Sequence, residues 1–104
     1  MTTESETIRV IVFQDNGMWV AQCLEYDIGA QAKDIDTLNA RLEVVLRAEF
    51  EASMKKHGKR FAGIGPAPQR FHLMWDHRVR SLDLKPASWI RGHKNVPRLD
   101  YAFA

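Results

Sequence analysis

A chain of 104 residues with 45% hydrophobic residues is sized for one domain around a single core, and this composition excludes disorder throughout. No apolar run approaches the ~20 residues of a membrane span, and the polar, acidic stretch Met1–Glu6 lacks the features of a secretory signal. The lone Cys23 excludes an intrachain disulfide framework and a cysteine-rich zinc site, so a cytoplasmic protein with no membrane association is expected.

The net charge of +2 hides an asymmetry. Residues 1–54 carry four basic residues against ten acidic ones, and residues 55–104 carry eleven basic against three acidic. Such a split implies that the basic part folds back onto an acidic body, its own or a neighbour's, or that it meets a polyanion.

The first six residues read as a frayed terminus. Thr7 to Phe13 is rich in β-branched residues and reads as a strand, with Ile8, Val10 and Val12 on one face and Ile11 and Phe13 on the other. Asn16-Gly17 supplies two residues that tolerate positive φ, which predicts a type I′ hairpin into a second strand, Met18 to Leu24. After the connection Glu25-Tyr26-Asp27, the alternation of Ile28, Ala30 and Ala32 with Gly29, Gln31 and Lys33 predicts a third strand. Asp34 or Asp36 then caps a long helix whose stripe Leu38, Leu42, Val45, Leu46 faces the sheet. Val44 and Ala48 widen the apolar surface and predict a cover for the helix flank. The helix ends at Lys55-Lys56-His57-Gly58.

A glycine-rich loop over 58–66 leads to a second, shorter helix, Ala67 to Val79, with Phe71, Met74, Trp75 and Val79 on one face. Residues 81–84 suggest a short extended piece. From Lys85 onward, Pro86, Pro97 and scattered aromatics predict an irregular arm. The fold class is therefore α+β: a three-stranded antiparallel sheet with one long helix on it, a second helix and an extended C-terminal arm. Residues 7–57 form the sheet-and-helix unit, and 58–104 form a basic helix and arm packing on the same or a neighbouring subunit. Ile11, Phe13, Trp19 and Cys23 are candidates for an open apolar face, which predicts a homodimer or higher oligomer.

The order of these features carries a resemblance. Trp19, Ala21 and Cys23 form an aromatic-x-Ala-x-Cys pattern on the second strand. Glu25, a third strand from Ile28 and the capped helix start from Asp34 to Leu38 follow. Over roughly residues 7–55 this resembles the HicB-type antitoxin domain. The resemblance implies a βββα core with a partial RNase H-like fold, oligomerisation, and docking on a small basic RNA-cleaving toxin. Leu24 stands where such proteins often have Pro, and Lys33 where Gly often precedes the helix start. Residues 58–104 show no recognisable ribbon-helix-helix segment, so operator binding is not part of what is implied.

Each residue that could carry catalysis also has a plainer structural role. Glu25, Asp27, Asp34 and Asp36 could converge on metal ions as a nuclease requires, but capping accounts for Asp34 and Asp36, and the other two read as loop residues. Cys23 alternates with Trp19 and Ala21 beside acidic residues, which suits a packed thiol better than a nucleophile. His72 and His77 are five apart and do not share a helical face, and His57 and His93 have no neighbouring ligands. The expectation is a non-catalytic protein with no metal or cofactor. Its partner-binding candidates are Trp19, Glu25 and Asp27 on the acidic body and Arg78, Arg80, Trp89 and Arg91 in the basic part. An alternative is nucleic-acid binding through residues 78–98 of the basic part, whose cations, from Lys55 to Arg98, would contact phosphate while the interleaved Phe61, Trp75 and Trp89 stack on bases.

Overall fold

The computed structural model of the chain describes residues 6–82 and 98–104. Strand β1 (Thr7–Asp15) turns at Asn16 and Gly17, whose φ values of 51° and 75° are the left-handed pair that a tight hairpin needs. Strand β2 (Met18–Cys23) returns antiparallel, with Val12 opposite Ala21 and Gln14 opposite Trp19. Strand β3 (Gly29–Ala32) adds antiparallel to the far side of β2, with Ala21 opposite Ala30.

The long helix α1 (Ile35–His57) is capped by Asp34 rather than Asp36: the Asp34 carboxylate accepts from the Thr37 N–H at 2.7 Å and from the Thr37 hydroxyl at 3.0 Å. At its other end Gly58 takes φ 70° and donates its N–H to the Met54 carbonyl. Lys55, Lys56 and His57 lie in the last turn, where positive charge meets the negative end of the helix dipole.

The C-terminal part corrects the expected architecture. Helix α2 (Gln69–Asp76) is shorter than the span 67–79. Strand β4 (Arg80–Leu82) follows it, and β5 (Arg98–Phe103) is a full strand where an irregular arm was expected. β5 lies parallel to β1, with Val10 opposite Tyr101, and β4 pairs antiparallel with β5. Among the described residues the sheet is thus five-stranded and mixed, in the order β3-β2-β1-β5-β4, not three-stranded and antiparallel. The reason is register: Leu99, Tyr101 and Phe103 alternate with Arg98 and Asp100, and the edge of β1 not used by β2 was open to receive them.

Each face of the sheet has its own helix. Leu38, Leu42, Leu46 and Phe50 of α1 pack on Val10, Val12, Ala21, Cys23, Ala32 and Tyr101. On the opposite face Phe71 and Trp75 of α2, with Ala67, cover Ile11, Leu24 and Ala102, and the Phe13 and Phe71 rings lie 6.0 Å apart. The expected open apolar face is therefore closed within one chain. Ile11 and Phe13 lie under α2, whereas Trp19 and Cys23 belong to the α1 side, because they fall on the same face of β2 as Ala21. The expected cover over the flank of α1 is not found among the described residues: Val44 is 68% exposed.

Candidate functional site

The carboxylates singled out in the sequence lie where β2 ends, and a break in the ladder explains their surroundings. The hairpin register places Leu24 opposite Arg9, and the Leu24 N–H still donates to the Arg9 carbonyl at 2.9 Å. The Leu24 carbonyl, however, accepts from the Ala67 N–H at 3.0 Å, which ties the start of α2 to the sheet. That exchange leaves the Arg9 N–H without a strand partner. Glu25 supplies one: its Oε1 accepts from the Arg9 N–H at 2.7 Å, and its Oε2 takes the Arg9 guanidinium Nε at 2.6 Å. Both carboxylate oxygens of Glu25 are therefore engaged inside the fold.

The next residue is anchored too. The Tyr26 hydroxyl donates to Glu6 at 2.6 Å, Glu6 pairs with Arg60 at 3.3 Å, and the Tyr26 ring stacks 4.7 Å from Phe61. Phe61 itself sits at φ 58°, held by its N–H donating to the buried Ser53 hydroxyl at 2.6 Å. Partial burial and the Glu6 hydrogen bond push the Tyr26 phenol up to about 12. Asp27 is different. Its N–H donates to the Gly65 carbonyl at 2.7 Å, and its Oδ1 accepts from Gln22 Nε2 at 3.0 Å, but the residue remains exposed.

Arg78 and Glu25 belong to one chain of contacts. The Arg78 guanidinium lies 4.7 Å from the Trp75 ring and donates to the Trp75 carbonyl at 3.1 Å. Arg9, the partner of Glu25, lies 5.8 Å from the same ring. Trp19 stands at the other end of β2, half-buried, with its ring 5.9 Å from Phe103. Arg80 lies in β4. Trp89 and Arg91 lie outside the described residues. Phe61 and Trp75, two of the three aromatics expected to stack on bases, are buried in the core at 1% and 6% exposure, which removes them from that role.

Cys23 is buried, and burial, helped by the Glu25 carboxylate, pushes its thiol up to about 12. A thiol so protonated is a poor nucleophile. Asp34 is occupied as the α1 cap, and the Thr37 N–H and hydroxyl hold its carboxyl below the usual aspartate range. Among the described residues, no three His, Cys, Asp or Glu side chains gather as a metal ion would require.

Sequence reasoning missed the outer edge of β3. β3 stands at the end of the sheet with no strand beyond it among the described residues. Beside it runs an apolar groove of about 410 Å³ between β3 and α1, lined by Ala30, Thr37, Ala40, Arg41, Val44 and Val45. Arg41 Nη1 donates to the Gln31 carbonyl at 2.8 Å across its mouth. The one signal in the sequence was Val44, an apolar residue off the buried stripe.

Compared with known proteins, the chain is matched by no family model, no curated protein and no solved structure. No helix among the described residues is long and apolar enough to cross a membrane.

Proposed function

We propose that the chain is a HicB-like, non-catalytic binding protein, an antitoxin or antitoxin-derived module. It engages a small basic protein through the acidic unit of β1, β2, β3 and α1. The use of its carboxylates is the observation that supports this reading. Glu25 is spent on Arg9 and Asp34 on the α1 cap, while Asp27 stays exposed at the mouth of the β2–β3 connection. Groups held this way position a fold and offer charge to a partner, and none of them is poised against a base or a nucleophile. The residues that carry the HicB resemblance also form one continuous unit: Trp19, Ala21 and Cys23 share a face of β2, and Asp34 starts the helix that packs on it.

The test is the product of a short, basic, toxin-like reading frame adjoining this one. Co-expression should yield a complex of fixed stoichiometry and relieve the growth arrest that the basic protein causes alone. Asp27→Lys should weaken the complex at least about tenfold, since a like charge then faces the basic partner. If no such frame adjoins, or its product fails to bind at tens of micromolar, the antitoxin reading falls.

A further inference from the structure

We propose that the open edge of β3 receives an extended peptide segment of a partner, added antiparallel to β3, in which an apolar residue is followed two positions later by a basic one. This rests on the basic-partner reading above and names the part of that partner the chain holds.

Bonded and non-bonded pairs alternate along an antiparallel ladder. The Cys23 N–H donates to the Ile28 carbonyl at 2.9 Å, and the register pairs Ala21 with Ala30 and Trp19 with Ala32. Ala30 and Ala32 therefore spend their backbone groups on β2, while Gly29 and Gln31 aim theirs outward. The Gln31 carbonyl agrees with this phase, because Arg41 reaches it from α1 on the open side. A carbonyl oxygen has two lone pairs, so Gln31 can accept from Arg41 and from an incoming strand together. Beyond Gly29 the edge is closed, since the Asp27 N–H already donates to the Gly65 carbonyl at 2.7 Å. The ladder on offer is thus two bonded pairs long, at Gly29 and Gln31. Such an edge is a template for a strand, but one so short that side chains must supply most of the selectivity.

The side chains decide the occupant. The incoming residue opposite Ala30 points to the α1 side and enters the apolar groove beside Val45 and the exposed Val44. An apolar residue fits there. Two positions later the next side chain on that face stands opposite Ile28, over a second hollow of about 310 Å³. This hollow adjoins the first through Val45 and is lined by Asp27, Glu49 and Ile64. Asp27 is exposed and Glu49 half-buried, and among the described residues no hydrogen bond or ion pair engages Glu49. Val45 and Ile64 give the stem of a long side chain an apolar wall, and the two carboxylates meet its charge. An arginine or lysine suits this hollow, and it reaches past the point where Gly65 closes the edge to backbone. The same use accounts for a carboxylate within the apolar spacing Leu42, Val45, Leu46, Glu49 of α1. Antiparallel addition follows from the better hydrogen bonds of short antiparallel pairs, and it sets the apolar residue before the basic one.

Fluorescence anisotropy with a labelled, end-blocked peptide, Ser-Thr-Val-Thr-Arg-Ser, tests the proposal on the full chain. Binding should saturate with a Kd on the order of 100 µM. Glutamate in place of the peptide's arginine should weaken it at least about tenfold, and so should Glu49→Lys in the protein, which should keep its melting temperature. N-methylation of the peptide's second threonine, whose N–H would face Gly29, should abolish binding. N-methylation of its valine, whose N–H would face away, should change the Kd by less than about threefold. No saturable binding up to about 2 mM overturns the proposal. So does an undiminished Glu49→Lys variant, or an equal loss from the two methylations. The two readings fail separately. If the peptide binds as stated and the product of the adjoining frame does not, the antitoxin reading falls and the groove stands. If that product binds and the peptide does not, the groove falls.

Discussion

Glu25 stands in for a backbone carbonyl at the point where the β1–β2 ladder opens. It answers the Arg9 N–H that Leu24 abandons, and it neutralises the Arg9 guanidinium with its second oxygen. Glu25→Ala should therefore cost about 1–3 kcal/mol, mostly from the half-buried N–H left unanswered rather than from the partly exposed ion pair. Chemical denaturation measures the loss, and Glu25→Gln should recover part of it through the amide oxygen. The two tyrosines give a second prediction at this scale. Burial and the Glu6 bond raise Tyr26 to about 12, and burial raises Tyr101, whose hydroxyl donates to Asn39 at 3.0 Å. Both phenols keep their protons in the folded state above the ordinary value of about 10, where the unfolded chain loses them. Their contribution to stability is full below about pH 10 and is lost as pH rises through the folded values. Absorbance at 295 nm should therefore show no phenolate step near pH 10, only a cooperative rise on alkaline unfolding.

Among the elements, α1 and α2 are held by different means. α1 carries its own start and stop signals, Asp34 and Gly58; because capping is local, the stop was legible in the sequence and the start was narrowed to Asp34 or Asp36. The Asp34 carboxyl is held below its usual range, so its charged form is favoured by folding. That stability is present above the ordinary aspartate value of about 4 and is lost as pH falls through the depressed one. Asp34→Asn keeps an acceptor for Thr37 but should flatten this acid limb in a plot of urea midpoint against pH. α2 has no side-chain cap and is held by packing. Trp75→Ala should cost about 3–5 kcal/mol through the cavity it leaves on Ile11 and Ala102, read as a fall in the urea midpoint with the slope m unchanged. The shortfall of α2 against its expected span has the same origin. Val79 fits the apolar spacing but is 75% exposed, because its N–H donates to the Phe103 carbonyl and the chain has already turned into the sheet.

For the whole molecule, what could be read was what neighbours in sequence decide. Asn16-Gly17 fixed the hairpin register, and that register places Arg9 opposite Leu24, so the role of Glu25 was within reach. The parallel pairing of β5 with β1 was not, since nothing near Arg98 in sequence points to Thr7. The alternation Leu99, Tyr101, Phe103 was present, but Pro97 and a terminal position disguised it as an arm. Missing that strand also hid the cover over Ile11, because α2 reaches its place through the same C-terminal half. Removal of residues 98–104 should abolish the cooperative thermal transition, since Tyr101 and Ala102 sit in the cores on opposite faces of the sheet.

The β1–β5 pair also sets the order in which the molecule can be made. Thr7 meets Arg98, so nearly the whole chain separates two strands that lie side by side at the centre of the sheet. A contact of such sequence separation forms late, after the hairpin and α1 have their local structure. During synthesis the hairpin therefore waits with one edge of β1 unpaired, and that edge is most open to other chains while the last strand is still being translated.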